Sequence, residues 1–117
     1  MDRFRPGAFL PLTAVAFDIL LALADGERHG YSILQEVESR SGAALHAGTL
    51  YRALARLLES RLIQEIAPPA GAEAGDERRR YYRLTDRGIA VARAEVHRLE
   101  TQLAAARSRR LLRAAKP

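Results

Sequence analysis

Cysteine is missing from the 117 residues. That excludes disulfide staples, thiolate nucleophiles and cysteine-based zinc sites together, and it fits a reducing cytoplasmic setting. Lysine is almost missing: one stands beside 18 arginines against 14 acids, so the net charge of +5 is nearly all guanidinium. Guanidinium pairs in two-pronged fashion with phosphate and with guanine edges, which a lysine ammonium does not do. GC-rich coding also enriches Arg and Ala, so position along the chain has to separate recognition from composition. Membrane-length apolar runs are missing as well. The best candidate, Phe9 to Ala24, follows Arg3 and Arg5 and closes on Ala22-Leu23-Ala24 as a cleavage site would. Pro11 and the charge of Asp18 argue against a leader, and the run falls short of the roughly 20 residues that span a bilayer. Val15, Ile19, Ala22 and Leu23 keep a helical period that leaves Asp18 to one side. The run therefore reads as a buried helix of one compact soluble domain.

What is present is a succession of short periodic segments. A first helix is expected from Thr13, whose hydroxyl can cap free amides, to the Asp25-Gly26 turn. The turn Asp25-Gly26-Glu27-Arg28 leads to a second helix over about Gly30 to Arg40, stopped by Ser41-Gly42. A third is predicted from Ala47 to Ser60, with Leu50, Leu54, Leu57 and Leu58 on one inward stripe. Two strand-like stretches follow, Leu62 to Ile66 and Arg79 to Leu84, the second turning Tyr82 and Leu84 to one face. Between them Ala67 to Arg78, with Pro68-Pro69, Gly71 and Gly75, reads as a long mobile hairpin tip. Three helices and a two-stranded hairpin with a basic loop make the winged form of the helix-turn-helix. A last helix, capped by Thr85, is predicted from Asp86 to Arg113, about 42 Å long at 1.5 Å per residue. Ile89, Val96 and Leu103 fall on one heptad position and Ala92, Leu99 and Ala106 on the other. That stripe needs a cover, supplied either by a second copy of the chain or by the first helix of the same chain. No internal repeat occurs.

Candidate chemistry concentrates on arginines. On the third helix Gly48, Arg52, Arg56 and Glu59 lie opposite the leucine stripe, with the two arginines one turn apart. Insertion into a major groove calls for such a face with a small residue near its start. An ordinary solvated face with an Arg56 to Glu59 pair is the other reading. Arg78, Arg79 and Arg80, with Arg83 beyond, crowd the root of the loop, where they can reach phosphates or guard a strand edge. The outward-basic helix beside them favours the first. Of the adjacent Tyr81 and Tyr82, strand alternation assigns Tyr82 to the core and leaves Tyr81 outside, free to stack. His29, His46 and His97 fall on separate elements with no ligand pattern, so no metal is expected. No nucleophile, base and orienting group form a set, and no glycine loop for phosphate occurs, so neither catalysis nor a cofactor is expected.

In order and spacing these residues resemble the PadR-type transcriptional regulators, over about Leu12 to Leu112. The marks are Leu20-Leu21-Ala22-Leu23, then His29-Gly30-Tyr31, then Gly48-Thr49-Leu50-Tyr51 with Leu54, Arg56-Leu57 and Leu62-Ile63, and finally Arg79-Arg80-Tyr81-Tyr82-Arg83-Leu84-Thr85 with Gly88. The resemblance implies a winged-helix dimer that reads the major groove with its third helix and contacts the backbone with its wing. It pairs through its C-terminal helix, and most such proteins are repressors released by a ligand. It further implies that Thr49 and Tyr51 contact phosphates or the groove, that Tyr31 and Ser32 stand at the groove edge, and that Arg78 to Arg80 serve the wing. With one helix after the wing, the chain looks like the shorter of the family's two layouts. Three positions depart from the pattern. Arg61 stands where the family has a helix-ending glycine, Arg52-Ala53 where a proline often follows the tyrosine, and His46-Ala47 where a small polar residue and proline are usual.

The sequence thus predicts a mainly α, α+β winged helix-turn-helix, with residues 1–84 as the DNA-binding domain and 85–117 as the dimerisation helix. The expected partners are double-stranded DNA, a second copy of the chain, and a small apolar or aromatic effector held near Val15, Phe17, Ile19, Val96 and Leu99. A winged-helix module that docks acidic proteins without reading DNA sequence is the alternative.

Overall fold

The computed structural model describes residues 3–71 and 79–112. The backbone of Thr13 is extended and its hydroxyl accepts the free N–H of Ala16 at 3.1 Å, so helix α1 starts at Ala14 and runs to Ala24. A two-residue strand β1, Arg28–His29, leads into α2, Gly30–Ser41, which ends on Gly42 in the left-handed conformation that glycine adopts without strain (φ 72°). Helix α3 covers Ala47–Glu59, strands β2 and β3 cover Ile63–Ile66 and Tyr81–Leu84, and α4 covers Asp86–Ser108. This is the winged helix expected: helices α1 to α3, the β2–β3 wing, and a long closing helix.

Helix α1 is the hub. Ile19, Leu20, Ala22 and Leu23 are buried against Ile33 and Val37 of α2, Leu50, Leu54 and Leu57 of α3, Tyr82 of β3 and Val91 of α4. The sheet is antiparallel in the order β1-β3-β2, with Arg28 opposite Tyr82 and Glu65 opposite Tyr82 on the other side. Strand β1 was not expected, because two residues carry no period to read; it forms where the free edge of β3 meets the turn before α2. It also corrects the expectation for Tyr81. Alternation does turn Tyr81 away from the core, but its cross-strand neighbours His29 and Ile66 flank it, with the His29 ring edge-on at 5.4 Å, and only 7% of it is exposed. Tyr81 is therefore not free to stack on a base.

Helix α4 is shorter than expected, about 34 Å at 1.5 Å per residue, because it closes five residues before Arg113. Arg110 takes a left-handed conformation (φ 58°), its N–H bonds the Arg107 carbonyl at 3.0 Å, and the Leu111 N–H bonds the Ala106 carbonyl at 2.9 Å. The same double bond ends α3. Arg61 is left-handed (φ 62°), with its N–H on Leu58 O and the Leu62 N–H on Leu57 O, both at 3.0 Å. The helix thus ends as if a glycine were present, and Arg61 carries the strain, about 1–2 kcal/mol.

The first half of α4 is locked to the body. Thr85 donates its N–H to Leu62 O at 3.1 Å and its hydroxyl to Arg61 O at 2.6 Å, and Gly88 lies against the Leu62 carbonyl. Two turns on, the buried Glu95 carboxylate accepts the Leu12 N–H at 2.8 Å and the Arg98 Nε–H. The Arg98 bond, helped by Leu12 and opposed by burial, holds that carboxyl below the usual carboxylate range. Glu95 so fastens a strap, Phe9 to Thr13, between α4 and α1. Ahead of the strap, Phe4 packs on Phe9 and beneath the Arg87 guanidinium.

Candidate nucleic-acid interface

Helix α3 hides its leucines and exposes Gly48, Tyr51, Arg52, Ala55, Arg56 and Glu59. The Arg56 to Glu59 pair of the solvated-face reading does not form, and Arg52 reaches only the Thr49 hydroxyl, at 3.5 Å. Among the described residues neither guanidinium is ion-paired, which leaves both available to an anion. His46 gives no side-chain cap, so the first amides of α3 also lack a side-chain acceptor. Thr49 is half-buried beside them.

On one flank α3 meets α2 and the wing in a cleft of about 440 Å³ lined by His29, Gly30, Tyr31, Tyr51, Arg79, Arg80 and Tyr82. Tyr31 and Tyr51 are half exposed, at 53% and 50%. The Tyr51 ring lies over Gly30: a Cβ there would stand 2.9 Å from the phenol oxygen, so only glycine lets the ring lie so close. Tyr82 forms the back wall. Burial first, and then the Glu65 carboxylate, push its phenol above the usual tyrosine range, against the lowering effect of Arg80, so it stays neutral.

The wing is tied to α2 by His29, a residue for which the sequence suggested no structural role. His29 caps α2, its Nδ1 accepting the Ser32 N–H at 3.1 Å, and its Nε2 lies 2.9 Å from an Arg79 guanidinium nitrogen. Histidine is an uncommon cap, so only its place directly before Gly30 could have signalled the role. Ser32 sits half-buried, its hydroxyl taking a 3.1 Å bond from Arg28. Arg79 and Arg80 are exposed at the wing's root; Arg78 lies outside the described residues.

The remaining candidates separate. Ile89, Val96, Leu99 and Leu103 are 37%, 42%, 40% and 41% exposed, and Ala92 and Ala106 lie half-buried beside them, so the heptad stripe is on the surface of the single chain. The proposed effector residues do not share a cavity. Ile19 is fully buried in the core, Val15 lines a cleft beside α3, and Val96 lines another between α1 and α4. The reason is that Ile19 packs inward on the core and so turns away from the cleft that opens between α1 and α4. Among the described residues no cluster of His, Asp and Glu could hold a metal ion, and no helix is long and apolar enough to cross a membrane.

A helix with an outward arginine face that is not ion-paired among the described residues, a wing whose root adds two more arginines, and two half-exposed tyrosines between them define a winged helix-turn-helix DNA-binding protein. The chain belongs to the PadR-like family of transcriptional regulators, whose model matches residues 19–94. It is therefore a member of a family of DNA-binding transcriptional regulators. It is similar to a PadR family transcription regulator from Clostridium difficile R20291, at 25% identity over 82% of this chain and 97% of that one, with a TM-score of 0.72. It is also similar to RosR of H. salinarum, at 30% identity over 82% of this chain and 78% of that one, with a TM-score of 0.62. An uncharacterized 37.1 kDa protein in transposon TN4556 of Streptomyces fradiae is 40% identical over 79 residues, 68% of this chain. The chain spans 21% of that relative's length.

Proposed function

We propose that the chain is a cytoplasmic, homodimeric, sequence-specific repressor that a small apolar or aromatic effector releases from its operator. Residues 1–84 would supply the DNA-reading part and residues 85–117 the pairing helix. Each protomer seats the α3 face of Gly48, Thr49, Arg52 and Arg56 in the major groove. Tyr31, Ser32 and Tyr51 approach the groove edge, and Arg78, Arg79 and Arg80 reach flanking phosphates. Two protomers paired along Ile89, Ala92, Val96, Leu99, Leu103 and Ala106 would meet half-sites about one helical turn, roughly 34 Å, apart. The observation that carries this reading is that Arg52 and Arg56 are without an ion pair among the described residues, on the exposed face of a helix whose opposite face is committed to the core.

Its test is duplex binding to the DNA upstream of the chain's own coding sequence, scored against random duplex at several salt concentrations. A specificity ratio above about a thousand that collapses in Arg52→Ala, with two chains per operator by sedimentation, is the expected result. Equal, salt-steep binding to both duplexes that Arg52→Ala leaves unchanged would refute base reading by α3.

A further inference from the structure

Where α3 ends and α4 begins, a third group of arginines comes to the surface, apart from those of the α3 face and the wing root. Arg61, Arg83 and Arg87 line a recess of about 520 Å³ there, together with Gln64 and one acid, Asp86. Arg83 and Gln64 are cross-strand partners on the sheet face opposite the one that Tyr82 and Leu84 turn to the core. All three arginines are exposed, and among the described residues none is ion-paired or hydrogen-bonded through its guanidinium. Arg87 stands over the Phe4 ring, 4.8 Å from its centre, a contact that steadies the guanidinium and uses none of its N–H donors. Arg3 and Arg5, both exposed, flank Phe4 in the chain and add to the charge on this side. Arg87 also lies about 200° around α4 from Ile89, so pairing along the outer stripe leaves it open.

Arg61 gives the surface its meaning. Glycine would hold the left-handed backbone there without strain, and the Arg61 guanidinium makes no bond within the described chain to offset it. An exposed charge kept at a strained position points to a partner outside the chain, and three arginines against one acid call for a polyanion. A protein partner would want an apolar anchor, and Leu84 is the single apolar residue lining the recess. A phosphodiester backbone needs none: duplex DNA carries a charge about every 1.7 Å of its axis, and its phosphate oxygens match planar guanidinium forks. A regulator seated on DNA also has the rest of that molecule beside it at high effective concentration.

We propose that the Arg61, Arg83 and Arg87 surface is a second, sequence-independent site for duplex DNA, which holds another segment while α3 occupies the operator. The site goes beyond the repressor reading and does not depend on it; the bridging of two segments does.

The probe is a random-sequence duplex, titrated by fluorescence anisotropy at several salt concentrations into the full chain carrying Arg52→Ala and Arg56→Ala, which silence the α3 face. Residual, salt-steep binding is expected. Adding Arg61→Gly and Arg83→Gln should weaken it at least tenfold and make the slope of log affinity against log salt shallower by about 0.9 for each arginine removed. Removing the same two charges at Arg107 and Arg109, at the far end of α4, should change neither. Arg61→Gly relieves the strain, so its melting temperature should equal or exceed the parent's, and lost binding is then not a lost fold. With α3 intact, the chain held on an immobilised duplex of its own upstream DNA should capture a fluorescent random duplex. Arg61→Gly with Arg83→Gln should cut that capture at least tenfold while the first duplex stays bound. Residual binding that ignores these two substitutions, or falls equally in the Arg107 and Arg109 control, overturns the site. Unchanged capture overturns the bridging. Displacement of the random duplex by polyglutamate at equal charge concentration assigns the surface to acidic proteins and overturns the DNA site. A chain that shows this residual binding but no preference for its upstream DNA overturns the repressor reading and upholds the site.

Discussion

Replacing Gly88 by alanine should break the joint between α4 and the winged helix. A Cβ built at Gly88 stands 2.0 Å from the backbone oxygen of Leu62 and 3.0 Å from its carbon. Side chains cannot yield there, because the obstacle is main chain. Real contacts of this kind stay beyond 3.0 Å, so the start of α4 has to move away by at least an ångström. Two bonds hold it in place, Thr85 N–H to Leu62 O and the Thr85 hydroxyl to Arg61 O, and each contributes about 0.5–1.5 kcal/mol net. Overpacking adds about 1–3 kcal/mol, and the better helix propensity of alanine returns about 1 kcal/mol. The net loss expected is roughly 1–5 kcal/mol, against the roughly 5–15 kcal/mol that holds a domain together. Urea unfolding followed by circular dichroism, at one fixed protein concentration, measures it. A Gly88→Ala variant within about 0.5 kcal/mol of the parent would show that α4 does not rest on the Leu62 carbonyl.

Two further outcomes follow from single contacts. Glu95 has a folded pKa below its ordinary 4.5, so its contribution to stability is fully present well above that pH and is lost as pH falls through the lower folded value. Melting temperature against pH should therefore converge for the parent and Glu95→Gln on the acid side and diverge toward neutrality; a constant offset from neutral pH down to below the folded pKa would refute the assignment. Gly30→Ala pushes a methyl to within 2.9 Å of the Tyr51 phenol oxygen, the far end of a side chain that is half exposed and can swing away. Thermal stability should hardly change while operator affinity drops about fivefold, the equivalent of about 1 kcal/mol for one displaced hydrogen bond; unchanged affinity in a quantitative duplex titration would remove Tyr51 from the interface.

Periodicity carried most of the fold. The leucines of α3, the Thr13 and Thr85 caps and the Gly42 stop each act through neighbours within a turn of helix, so they can be read from the chain. Contacts across the fold cannot. Strand β1 exists because β3 has a free edge, Tyr81 is buried because β1 and β2 flank it, and Glu95 is buried because a strap 83 residues earlier brings it an N–H donor. Glu95 stands among polar residues of an amphipathic helix and gives no local sign of its partner. Arg61 is the converse case. Its place at a position that wants glycine is visible in the sequence, and the bonds from Arg61 and Leu62 back to Leu58 and Leu57 show the helix keeping its ending and accepting the strain. For the interface, the sequence locates the arginines and tyrosines. It does not show the clefts on either side of α3, because each is made by residues from three elements that meet only in the folded chain.

Those joints determine how α3 and α4 move relative to one another. Thr85 and Gly88 fasten the start of α4 to the residues that close α3, and Glu95 fastens its next turns, through Leu12, to the strap that opens α1. Three attachment points along fewer than three turns of helix leave little freedom for hinge motion between them. A dimer paired through the outer stripe of α4 would hold its two α3 helices at a separation fixed by those attachments, which suits an operator with a single half-site spacing. Within one protomer a changed spacing would have to break the Leu62 or Leu12 bonds, whereas a shift along the α4 stripe would break none of them. A change in half-site spacing would therefore act at the seam between the two α4 helices, the joint of such a dimer that none of these bonds holds.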